Sequence, residues 1–168
     1  MKLLALDTAT EACSAAVWVD GVIHARFEIA GRDHTQRLLP AVAAVLAEAG
    51  LRYAQLDGLV CGLGPGSFAG VRIGVAFTKG VALAHELPVV GVSSLALLAQ
   101  RALNAGGAER VLAAIDARMG EVYFQCFERD GHGLARAASD AAVAAPYAVP
   151  LPHQQGPWLA VGSAWATY

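Results

Sequence analysis

Two rhythms of apolar residues alternate along the chain. Residues 2–6 form an unbroken apolar-rich run, 13–19 alternates loosely, and 22–29 alternates after Asp20-Gly21. Asp-Gly between two apolar runs is a hairpin signal, because both residues tolerate the positive φ that tight turns need. The chain is therefore expected to open on a meander of three antiparallel strands. The period then changes. Apolar positions at 38, 39, 42, 45, 46 and 49 fall at spacings of one, three and four, the stripe of one helix face. Gly50 is a natural stop, and Pro40 fits only in the first turn unless it kinks the helix. A short strand follows at 59–61, then a glycine-rich loop at 62–70, a helix at 71–86, a strand at 89–92 and a helix at 95–104 capped by Ser93 or Ser94. The order β-β-β-α-β-α-β-α predicts a mixed sheet with helices packed on its faces.

Beyond that point strands are expected at 111–115, 121–127 and 158–161, the first two joined by a turn at Arg118-Met119-Gly120. The stretch 131–155 carries prolines and no clear period. The lobe boundary is placed near 104–109, giving lobes of 1–106 and 107–168. No internal repeat of 20 to 50 residues is visible.

Composition excludes several classes of function. The chain has 168 residues, 56% of them hydrophobic and 15% charged, with a mean hydropathy of +0.47. Much of that hydropathy comes from 36 alanines spread along the chain. Disorder is excluded. No run reaches the roughly 18 uninterrupted apolar residues of a membrane span. Twelve basic against fourteen acidic residues leave no electrostatic footprint for nucleic acid, so any role with RNA would run through a partner. Cys13, Cys61 and Cys126 are far apart, lie in or beside apolar stretches and form no C-x-x-C, which implies buried thiols in a reducing cytoplasm. The N-terminus is too short in its apolar run for a signal peptide.

Candidate chemistry is sparse. Gly64-Pro65-Gly66-Ser67-Phe68-Ala69 fits G-x-G-x-x-A between a strand and a helix, the setting of a dinucleotide fingerprint. The acid at Glu86 ends the helix instead of the following strand, which argues for a tight strand-to-helix turn. No G-x-x-x-x-G-K-[ST] and no G-x-S-x-G is present. His24, His34, His85, His132 and His153 show no metal-ligand spacing. Gly66, Gly70 and Gly74 are spaced by four, a smooth stripe that either packs internally or admits another helix closely. Each glycine in a helix costs about 1 kcal/mol against alanine, so the stripe needs a reason. Asp7 and Asp116 end the first strands of the two lobes; acids at like positions suggest a Mg-nucleotide cleft, or strand-end acids that accept backbone hydrogen bonds.

LALDTAT at 3–9, HTQRLLP at 34–40, GLGPGSFAGVRIG at 62–74 and AIDARMGEVY at 114–123 occur in that order. Together they resemble the bacterial TsaB (YeaZ) family, accessory proteins of tRNA threonylcarbamoyladenosine biosynthesis, over 2–162. The resemblance implies the ASKHA fold of actin, sugar kinases and Hsp70, with two ribonuclease-H-like lobes, a mixed sheet and helices on both faces. The family runs on for some tens of residues past the segment like Gly162-Ser163-Ala164, so the second lobe is expected to be incomplete. The resemblance further implies a non-catalytic, cytoplasmic scaffold without cofactor or metal. Its implied partners are a TsaD-type catalytic subunit and a TsaE-type P-loop ATPase. It implies a homodimer when alone, tRNA bound only through the complex, and no membrane. The interface implied lies on the first two helices, here Leu38, Leu39, Val42, Gly70, Arg72, Ile73, Gly74 and Phe77. Asp7, Thr8, Thr10 and Asp116 would be vestiges of a nucleotide cleft, because Thr8-Ala9 replaces the glycine of the phosphate-binding Asp-x-Gly. Ala69 stands where the family often has Thr. The H-x-x-x-H of TsaD-type proteins is absent. The alternatives are a self-sufficient ASKHA nucleotide-binding enzyme or metalloprotease-like protein, and an NAD- or FAD-binding oxidoreductase.

Overall fold

The computed structural model describes residues 1–150 and 156–168. His153 and the last five positions of the 131–155 stretch lie outside the described residues. By its own contacts the chain forms two compact units, Met1–Val92 and Ser93–Tyr168.

In the first unit, β1 (Lys2–Asp7), β2 (Ala12–Val19) and β3 (Val22–Ile29) make the expected meander. The β2–β3 turn places Asp20 at φ +50° and Gly21 at φ +88°, so both central residues are left-handed as a primed hairpin turn requires. After α1 (His34–Glu48), β4 (Gly58–Gly62) pairs parallel to β1, and after α2 (Phe68–His85), β5 (Val89–Val92) pairs parallel to β4. The sheet order is β3-β2-β1-β4-β5. Alternation decides where the core sits. Leu4, Leu6, Cys13, Ala15, Val17, Leu59 and Cys61 all point to one face, and they are buried beneath Leu38, Val42, Val45 and Leu46 of α1 and the inner face of α2. Both helices of this unit therefore lie on the same face of the sheet.

Both helices start before their apolar stripes do. His34 opens α1 because its Nε2 pairs with the Thr10 carbonyl at 2.8 Å, which buries a polar first turn. Pro40 thus falls inside the helix, where it is exposed and the backbone acceptor it leaves unpaired, on Gln36, is on an exposed residue. α2 begins at Phe68 because Ser67 caps it, its Oγ accepting from the Gly70 N–H at 3.2 Å.

The second unit holds α3 (Ser94–Asn104), β6 (Arg110–Arg118), β7 (Glu121–Arg129), β8 (Ala135–Ala137), β9 (Ala142–Ala144), β10 (Leu159–Val161) and α4 (Ala164–Thr167). Its sheet runs β10-β6-β7-β8, with β9 also paired to β7. Leu95, Ala99 and Leu103 of α3 pack on Val111, Ala113, Ile115 and Phe127. The opposite face carries Leu112, Ala114, Val122, Phe124 and Cys126 against Ala164 of α4. The third helix, expected in a lobe ending at 106, thus spends its apolar stripe in the second unit. That is why the units divide between Val92 and Ser93.

All three cysteines are free and buried. Burial pushes each thiol pKa up, with the nearby carboxylates of Glu28 and Asp7 adding to the effect at Cys13.

Candidate partner-binding site

The end of β1 and the start of α2 are built against each other. Thr8 is buried, and its Oγ1 donates to the Gly70 carbonyl at 2.7 Å. The Ser67 N–H donates to the Ala9 carbonyl at 2.6 Å. The glycine stripe is what lets them meet. A Cβ at Gly66 would overlap the Ala9 carbonyl, one at Gly70 would overlap the Thr8 carbonyl, and one at Gly74 would lie 2.7 Å from Thr8 Oγ1. The spacing of four is consumed inside the unit.

The residues expected to mark a nucleotide cleft have internal partners too. Asp7 Oδ1 accepts from the Ala9 N–H at 2.6 Å. Thr10 Oγ1 accepts from the Ala12 N–H at 3.2 Å, and the Thr10 carbonyl meets His34. In the second unit, Asp116 accepts from the Arg118 N–H at 2.8 Å, from Arg118 Nη1 at 3.1 Å and from the Tyr168 hydroxyl at 3.2 Å.

The Asp7 carboxyl is perturbed in a way that bears on stability. Burial raises its pKa, against smaller lowering effects from the Ala9 N–H and from His34. A carboxyl with a raised folded pKa binds more protons folded than unfolded between the two values. The native state is therefore expected to lose stability as pH rises through that window, and Asp7→Asn is expected to remove this part of the pH dependence. Denaturant titrations of both proteins across the acid range measure it; a wild-type curve that gains stability there on Asp7's account would reverse the assignment.

The eight expected interface residues separate into two groups. Leu38, Val42, Gly70 and Gly74 are buried in the unit's own core and cannot form a surface, because the α1 stripe and the glycine stripe both face the sheet. Leu39 and Arg72 are exposed, and Ile73 and Phe77 are half-buried. Two further large residues of α2, outside the eight expected, are exposed. Phe68 is 76% exposed and Leu83 is 83% exposed. At 100° per residue, Phe68, Arg72, Ala76, Lys79 and Leu83 share the α2 face opposite Gly70, Gly74 and Thr78. That outward face has large and small apolar groups, two cations and no acid. The Arg72 guanidinium lies 3.3 Å over the Phe68 ring, and its Nη1 donates to the Phe68 carbonyl at 2.9 Å, contacts that favour this arrangement of the two side chains. The signal that could have found Phe68 and Leu83 was their position off the buried period.

Comparison with known proteins places the chain. Residues 21–164 match the family model described as "TsaD: tRNA N6-adenosine threonylcarbamoyltransferase". The chain is 49% identical over 170 aligned positions to the tRNA threonylcarbamoyladenosine biosynthesis protein TsaB of Escherichia coli, covering all of this chain and 74% of that protein. It is 48% identical to the TsaB of Haemophilus influenzae, over 77% of this chain and 55% of that protein. It superposes on the solved structure of YeaZ from Pseudomonas aeruginosa with a TM-score of 0.93 at 47% identity, covering 98% of this chain and 77% of that one. A second Pseudomonas aeruginosa structure, described as similar to peptidase YEAZ, gives the same TM-score at 46% identity. The chain thus spans between about half and three-quarters of the length of these relatives. With its two mixed sheets and the glycine-rich turn that docks α2 on β1, the chain belongs to the TsaB (YeaZ) family.

Proposed function

We propose that this protein serves tRNA threonylcarbamoyladenosine biosynthesis as a non-catalytic accessory subunit that binds and activates a TsaD-type catalytic subunit. The observation that carries the reading is the outward face of α2, apolar with Arg72 and Lys79 and carrying the Arg72–Phe68 stack. Aromatic residues and arginine dominate the energetic centres of interfaces, which suits that face to a protein partner. Lack of catalysis by this chain is supported by what its reactive groups do. Ser67, at the strand-to-helix turn, caps α2. The three thiols are buried and held in the protonated form. A near-neutral charge supports tRNA contact through the partner only, and a TsaE-type ATPase would join the same complex.

The test is reconstitution. The purified chain alone is expected to show no threonylcarbamoyl transfer and no peptidase or kinase turnover, and to bind tRNA weakly and without sequence preference. Added to a TsaD-type subunit with threonylcarbamoyl-AMP and tRNA, it is expected to restore modification. Metal-dependent turnover by the chain alone, abolished by changing one of its own residues, would refute the accessory role.

A further inference from the structure

We draw no further inference here: the strongest candidate, the apolar cavity of the second unit between the β6–β7 face and α4, lined by Ala114, Val122, Tyr147, Val149, Ala164 and Trp165, carries nothing because nothing in the structure shows what covers it.

Discussion

Gly70→Ala is expected to destabilise the protein by about 3 kcal/mol or more, while Gly80→Ala, ten residues along the same helix, is expected to stabilise it by about 0.5–1 kcal/mol. The two glycines carry the same intrinsic helix penalty, so propensity alone predicts a gain at both. Space decides the sign. At Gly70 the new Cβ would overlap the Thr8 backbone carbonyl, and the nearest escape breaks the Thr8 Oγ1 bond to the Gly70 carbonyl. Backbone cannot rotate away as a flexible side chain can. At Gly80 nothing lies within 4 Å of the added atom. Thermal or denaturant unfolding of the two variants measures both. A Gly70→Ala protein as stable as the parent would mean that the end of β1 does not sit on α2, and the internal account of the stripe would fail with it.

The hydropathy pattern carried the element order well into the second unit, for a physical reason. Each of the longer elements buries one face, and burial of one face imposes its period on the sequence. What the pattern could not carry was the identity of the thing each face meets. The stripe through Leu38, Val42, Val45 and Leu46 reads the same whether it docks on a sheet of its own chain or on a partner, and only the fold assigns it to the sheet. The glycines at 66, 70 and 74 announce a close approach but not that the approaching groups are the Ala9 carbonyl, the Thr8 carbonyl and the Thr8 hydroxyl, all distant in sequence. Helix starts were displaced because polar groups set them: His34 through Thr10 and Ser67 through Gly70, neither part of an apolar period. β8 and β9 were missed because each is three residues long and mostly alanine, which has little strand preference, whereas the equally short β10 carries Leu159 and Val161.

The same division of faces separates binding from folding in the α2 surface. Phe68→Ala and Leu83→Asp are each expected to weaken association with the TsaD-type subunit by about 2 kcal/mol, near thirtyfold, if they lie at the centre of the contact. Neither change should move the unfolding midpoint appreciably, because surface substitutions away from caps and core stay within about 0.5 kcal/mol. Leu38→Ala is the control with the opposite signature. It removes a buried side chain and is expected to lower stability by about 2–5 kcal/mol, with partner affinity intact in the fraction that remains folded. Arg72 adds a test of geometry. Its flat guanidinium lies on the Phe68 ring while bonding the Phe68 carbonyl, and a lysine ammonium cannot do both, so Arg72→Lys should lose affinity even though it keeps the charge. Calorimetric titration of each variant into the catalytic subunit, read beside its unfolding curve, tells the cases apart. Phe68 and Leu83 variants that bind as tightly as the parent would move the contact off this face of α2, whereas affinity that falls only in step with stability would mean that the helix matters to the partner solely as part of the folded unit.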